Sequence, residues 1–287
     1  MHQFTEDALT EAVLATINAD NPRVQEVTTS LVRHLHAFIR EVEPTEEEWF
    51  TAIDFLTRTG HMCDDKRQEF ILLSDTMGVT MLVDAINHRM AEGATETTVT
   101  GPFHAAAMEM ENGAMIARGP EAQGEHLAVV RGRVIDVNGN PLTGVKLDVW
   151  QSDDDGFYDL QDEDQPEMNL RGIFTTNDRG EYWFRTVKPS SYPIPTDGPV
   201  GELLLATGRH PMRPAHIHFM LTHPGHKRLI THVFVEGDEY LDSDAVFGVK
   251  DSLVVPFVLN EDMEKAAELE FPGPFYEAEF DFVLEAA

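Results

Sequence analysis

Three scarcities bound what this chain can be. Its 287 residues include one cysteine, Cys63; 21 basic side chains stand against 51 acidic ones, a formal charge of −30; and no apolar run approaches the ~20 residues that span a bilayer. A lone thiol excludes an intrachain disulfide and favours a reducing compartment. The shortage of Lys and Arg removes the clustered charge that neutralises phosphates, which excludes nucleic acid as a main partner. The acidic surplus serves solubility rather than a specific task. The opening MHQFTEDALTEAV has no basic-then-apolar leader pattern, so with no membrane span the expectation is a cytoplasmic protein. What is present is ordinary for a folded domain, with 42% hydrophobic and 25% charged residues in a chain long enough for one or two cores.

Periodicity divides the chain. Val24, Val27, Leu31, Leu35, Phe38, Ile39 and Val42 recur at three- and four-residue steps, predicting a helix with one apolar stripe that Pro44 ends. Thr45, with Glu48 at capping-box spacing, opens a second helix whose apolar face is Trp49, Ile53 and Leu56 and whose end is Gly60. A third runs from Asp64 to about Asp75, and after Gly78 a fourth covers Thr80–Arg89. From His126 the pattern becomes short strands: His126–Val137, Lys146–Gln151, Gly172–Thr176, Glu181–Thr186, His216–Leu221, Leu229–Val235, Leu253–Val258 and Glu277–Leu284. The first ends in the turn Asn138-Gly139-Asn140-Pro141. Such spacing without intervening helices predicts an antiparallel sandwich or barrel. The expected organisation is α+β: a helical part over residues 1–100, a connector to about 125, and a β body over 126–287.

The sharpest local feature is Arg213-Pro214-Ala215-His216-Ile217-His218-Phe219. Alternate side chains of a strand share a face, so His216 and His218 point together. They read either as half of a metal site or as two histidines on a solvated face, and as ligands they would suit zinc, copper, manganese or iron. The distant single cysteine rules out a thiolate-rich zinc site. Asp153-Asp154-Asp155-Gly156 lacks the ligand alternation and closing Glu of a calcium loop and reads as a solvated turn. Among only five tyrosines, Tyr158 follows Gly156-Phe157 and Tyr192 precedes Pro193-Ile194-Pro195. A phenolate is a hard donor suited to Fe(III), although solvated edge aromatics are the commoner fate of tyrosine.

The stretch from Gly132 to Phe219 resembles the intradiol ring-cleavage dioxygenases. The residues that carry this are Gly132-Arg133-Val134, Asp148-Val149-Trp150-Gln151, Gly156-Phe157-Tyr158, Tyr192-Pro193-Ile194-Pro195 and Arg213 to His218, and the likeness extends to the helical part and to Asp242–Leu253. The resemblance implies one Fe(III) per subunit, held by Tyr158, Tyr192, His216 and His218. It implies a β-sandwich catalytic domain that opens a small aromatic diol or triol with O2. It also implies a helical domain that pairs two subunits into a homodimer, with a phospholipid at the interface.

Within that family the runs Tyr192–Gly201, Ala206–Pro211 and Asp242–Lys250 resemble the branch acting on hydroxyquinol, 1,2,4-trihydroxybenzene. Substrate-pocket positions implied by the resemblance are Leu72, Asp75, Val99, Gly101, Pro102, Phe103, Ile194, Pro195, Arg213 and Val246. Arg213 would stabilise charge developing on the ring, and Tyr192 would double as acceptor of a substrate proton. Catechol-type relatives tend to be apolar at Asp75, whose carboxylate could accept a hydrogen bond from a third ring hydroxyl; otherwise Asp75 caps the turn before Gly78. They commonly carry Gln where His232 falls, so His232 is either an orienting group or a core histidine. Two alternatives compete: cleavage of catechol or chlorocatechols, and a non-enzymatic prealbumin-like binding module, which would need no four-ligand set.

Overall fold

A computed structural model describes residues 5–64 and 67–287, in two units: one ends at Arg58 and the other runs from Thr59 to Ala287. The first four residues of the opening segment, and residues 65–66 of the expected third helix, lie outside the described residues.

The first unit holds α1 (Leu9–Leu14), α2 (Pro22–Val42) and most of α3 (Glu46–His61). Asn21 caps α2 by accepting from the Arg23 N–H at 2.8 Å, with Pro22 preorganised at the first helical position. Glu43, at φ 48°, closes the helix in the left-handed region. The capping box at α3 forms as expected: Thr45 N–H donates to Glu48 Oε2 at 2.7 Å, and Glu48 N–H to Thr45 Oγ1 at 3.2 Å. No residue of α2 is buried; its whole apolar stripe, from Val24 at 51% to Val42 at 54%, faces outward in the single chain.

The second unit begins helically with α4 (Glu69–Thr76) and α5 (Val79–Asn87), separated by Gly78 at φ 69°. Its body is two five-stranded sheets. In one, β1 (Leu127–Asp136) pairs antiparallel with β4 (Glu181–Val187) on one side. On the other it pairs in parallel with β11 (Phe275–Glu279) and then β12 (Phe282–Leu284), while β10 (Val258–Asn260) joins β11. The second sheet runs β3 (Arg171–Thr175), β2 (Lys146–Trp150), β7 (His216–Thr222), β8 (Leu229–Val235), β9 (Val254–Val255), the last pair parallel. The sheets are therefore mixed, where the spacing of the strands alone predicted an antiparallel arrangement.

Two expected strands are each divided. Glu277–Leu284 breaks between β11 and β12, where the Phe280 carbonyl passes over Gly132 so closely that a Cβ there would lie 1.8 Å from it. Leu253–Val258 breaks at Pro256, which cannot donate to a ladder; β9 stays in one sheet and β10 enters the other. Helices α6 (Pro199–Ala206) and α7 (Met263–Glu268) and the two-stranded ribbon β5 (Tyr192–Pro193) with β6 (Met212–Arg213) are further additions.

Ile217, Phe219 and Leu221 of β7 enter the apolar core with Leu147 and Val149 of β2, Val233 of β8, and Val129, Phe184 and Phe282 of the facing sheet. The strand period of two then sends His216 and His218 to the opposite face of β7. Trp150 and His232 lie directly across from His218 on β2 and β8. One outer face thus carries Trp150, His218 and His232 side by side.

Candidate active site

Strand β7 supplies two imidazoles, a loop supplies the phenol of Tyr158, and β5 supplies that of Tyr192. Tyr158 Oη lies 2.9 Å from His218 Nε2 and 3.1 Å from Tyr192 Oη; Tyr192 Oη lies 3.4 Å from His216 Nε2, which is 3.2 Å from His218 Nε2. Four donors each about 2.0–2.2 Å from one ion would stand roughly 2.9–3.5 Å apart, so this closed quadrilateral fits a single first-row metal. All four side chains are buried. The close approach of the Tyr158 loop to β5 depends on Gly156: at φ 90°, a Cβ there would lie 2.5 Å from Tyr192 Cβ.

The outer nitrogens of the imidazoles are also engaged. His216 Nδ1 lies 2.7 Å from the Pro214 carbonyl, which can only accept; Nδ1 therefore carries the proton and Nε2 presents its lone pair inward. His218 Nδ1 lies 2.8 Å from His232 Nε2. His216, His218 and His232 form the one three-residue cluster of possible metal ligands among the described residues. Yet His232 approaches His218 from the ring nitrogen opposite to Tyr158. A single ion cannot use both nitrogens of His218, which puts His232 behind the ligand. Trp150 stacks on His218 with centroids 4.7 Å apart, and Phe103 stacks on Tyr158 at 4.5 Å. A Cβ on Gly101 would sit 3.3 Å from His218 Cε1.

Burial dominates the electrostatics. It holds His216 at a pKa of about 3, helped by the nearby Arg213 guanidinium, and pushes His218 well below the usual histidine range, so both rings are neutral and ligand-ready. Burial also pushes the Tyr158 phenol well up, Tyr192 adding to it while Arg213 and Arg171 oppose it. A cation held by the quadrilateral would offset the cost of ionising the buried Tyr158 phenol. Arg213, paired in register with Tyr192 across the ribbon, turns Nη1 to within 3.3 Å of His216 Nε2. Burial works against its charge, but Asp244 and the phenols outweigh this and raise its pKa.

Of the expected pocket residues, Leu72 packs on Ile194 and Val246 in one apolar cluster. Val99 and Pro195 are half-buried and Pro102 is exposed. Asp75 does not act as a side-chain cap: the Gly78 N–H donates to its main-chain carbonyl at 3.0 Å, while its carboxylate Oδ1 is buried with no hydrogen-bond partner. Burial pushes this carboxyl up in pKa.

Asp153 corrects the solvated-turn expectation. It is buried and folds its own turn by accepting from the Asp155 and Phe157 N–H groups. Nor did sequence reasoning assign a role to Asp244 or to the buried Arg171–Asp159 ion pair beside Tyr158. Charged residues carry no local signal of burial; Asp244 was visible only as part of the Asp242–Lys250 run.

Known proteins are similar to this chain over most of its length. A family model described as "Dioxygenase" matches residues 99–286, and one described as "Catechol dioxygenase N terminus" matches residues 21–95. Hydroxyquinol 1,2-dioxygenase of Rhizobium sp. (strain MTP-10005) is 51% identical over 285 residues, covering 98% of this chain and 96% of that protein. The crystal structure of hydroxyquinol 1,2-dioxygenase from Pseudomonas putida DLL-E4 superposes with a TM-score of 0.92 at 50% identity, covering 98% of this chain and 99% of the other. That of Acinetobacter radioresistens catechol 1,2-dioxygenase gives 0.86 at 29% identity, covering 100% and 95%.

Proposed function

The chain belongs to the intradiol ring-cleavage dioxygenases, and from that premise we propose that its substrate is hydroxyquinol. The ring is opened with O2 between adjacent hydroxyls to 3-hydroxy-cis,cis-muconate, which tautomerises to maleylacetate. The observation that carries the choice of substrate is the buried, unpartnered Asp75 carboxylate oxygen on α4, beside the Leu72 cluster. A third ring hydroxyl would satisfy it, and a ring lacking that hydroxyl would leave it unpaired.

Tyr158, Tyr192, His216 and His218 would hold one ferric ion per subunit. Bound there, Fe(III) supplies the Lewis acidity that binds a deprotonated diol and readies its ring for O2. The protein's own groups do the rest. Tyr192 Oη, on the short ribbon rather than on a sheet, takes a substrate proton. The Arg213 guanidinium, fixed in charge, stabilises the negative charge that develops as the ring becomes ketone-like. Leu72, Ile194 and Val246 form an apolar wall for a flat ring, and Phe103 braces Tyr158. His232 Nε2, 2.8 Å from His218 Nδ1, would accept the His218 proton's hydrogen bond there and so leave the His218 Nε2 lone pair directed inward.

The test is oxygen uptake by the iron-loaded protein with hydroxyquinol and catechol side by side, corrected for enzyme-free autoxidation. The expected result is a clear preference for hydroxyquinol in kcat/KM. A preference for catechol would overturn the assignment of Asp75 while keeping the reaction class.

The proposal extends to the assembly. No helix among the described residues is long and apolar enough to cross a membrane, yet the α2 stripe and Trp49, Phe50, Ile53 and Leu56 of α3 are exposed. Exposed apolar side chains of this number fit burial against a second copy of the chain in a cytoplasmic homodimer, and a phospholipid acyl chain would suit the same apolar surface. Sedimentation velocity is expected to give twice the 32.2 kDa chain mass, and Leu31→Glu together with Leu35→Glu to give monomer. A wild-type monomer at micromolar concentration would defeat the dimer. Organic extraction followed by mass spectrometry reports any lipid.

A further inference from the structure

Asp244 is almost completely buried, and every acceptor position it offers is used. Its Oδ1 accepts from Arg213 Nε at 3.2 Å and from the Val246 N–H at 3.2 Å; its Oδ2 accepts from the Gly248 N–H at 2.9 Å and from Arg213 Nη2 at 3.5 Å. The carboxylate thus occupies one edge of the guanidinium and leaves Nη1 free to face His216 Nε2. The same two oxygens pin the main chain on either side of Phe247, which sits at φ 60°. Gly248 leaves no slack: a Cβ there would lie 3.1 Å from Asp244 Oδ2 and 3.2 Å from Arg213 Nη2.

Resting on the reading of the site given above, we propose that Asp244 is a positioning residue that sets two things at once. It aims the Arg213 guanidinium at the reacting ring, and it fixes the segment carrying Val246, a wall of the substrate cleft. Charge stabilisation and ring placement are then held in register by one carboxylate. A buried ion pair is weak evidence for stability as such, which leaves direction as the function of this one. Rotation of the guanidinium about its side-chain torsions would otherwise spread Nη1 over several orientations, and misplacement of this kind weakens charge stabilisation steeply.

The segment has a second anchor, because the Ala245 N–H donates to the Met212 carbonyl at 3.0 Å and Arg209 Nη2 to the Ala245 carbonyl at 3.0 Å. Asp244→Asn keeps the shape and an acceptor oxygen, so it is expected to fold; a thermal melt confirms this before kinetics. The experiment is a double-mutant cycle of Asp244→Asn with Arg213→Gln. Asp244→Asn is expected to lower kcat about 10- to 100-fold through Arg213, a loss that shrinks to less than about threefold when Arg213 is already Gln, and to raise KM about three- to tenfold through the Val246 wall in both backgrounds. A structural role would instead lower kcat by the same factor in both backgrounds. A second readout needs neither metal nor turnover. In metal-free protein labelled at arginine, the Arg213 Nε–H signal is expected to exchange with water measurably faster in Asp244→Asn than in the wild type. Equal kcat factors in the two backgrounds, or an equally protected Arg213 signal, overturns the proposal. A wild-type chain that consumes no O2 with any diol defeats the reading of the site instead, and the arginine exchange still decides the role of Asp244.

Discussion

His218→Ala is expected to give a folded protein that retains less than about a tenth of an iron per chain and loses activity by more than roughly 100-fold, the loss typical of disturbing even an outer partner of a metal ligand. His218 is the donor with the most dependants. It lies within hydrogen-bond distance of Tyr158, His216 and His232 and is covered by Trp150. Removing it opens two edges of the quadrilateral at once, and the Tyr158 phenol, disfavoured as an anion by burial, would lose the cation that balances it. It also strands His232 Nε2, at a stability cost of about 1–3 kcal/mol. Iron analysis and oxygen uptake on protein of verified melting temperature check this, with His216→Ala expected to behave alike. Full iron and full activity in either variant would sink the assignment of the ligands.

Asp75→Leu is expected to move function and stability in opposite directions. The ratio of kcat/KM for hydroxyquinol over catechol should fall on the order of 100-fold, because the third hydroxyl of hydroxyquinol would then be buried without an acceptor. Stability should rise by about 1–3 kcal/mol near neutral pH, since the orphaned carboxylate oxygen is removed. The sign with pH follows from the raised pKa: the folded state disfavours the ionised carboxylate. The wild type therefore holds its full stability below the unfolded carboxylate pKa and loses it as pH rises through the folded one. Melting curves of both proteins should converge at acid pH and separate toward neutrality. A variant that is less stable at pH 7, or that keeps the substrate ratio, would show Asp75 to be structural.

How much of this was legible in the residues depended on range. The capping box at Thr45–Glu48 and the shared face of His216 and His218 are local, set by neighbours a few positions away, and the structure has both. The strand Leu229–Val235 likewise follows from its own composition. The divided strands did not, because the break at Phe280 faces Gly132, far away along the chain, and the crossing at Pro256 is completed by the sheet that Val258 joins. For the site, periodicity alone paired the histidines; Tyr158 and Tyr192 stood out by their settings, and only the family resemblance joined them to the histidines as ligands. Asp75, Asp153 and Asp244 read as ordinary acidic residues until burial was known; nothing nearby in sequence marks a carboxylate that will lie under a fold.

The crossing at Pro256 also has a mechanical consequence. Three residue steps separate Val255, hydrogen-bonded into the histidine-bearing sheet, from Val258 in the other. Fully extended, three steps reach about 10–11 Å, hardly more than the ~10 Å that separates stacked sheets. The link is a taut stitch at the end of β8, the strand that carries His232. The two layers cannot drift apart there without peeling β9 or β10 from its partner. The sandwich should therefore resist gradual swelling at the edge nearest the histidines and yield in a single rupture.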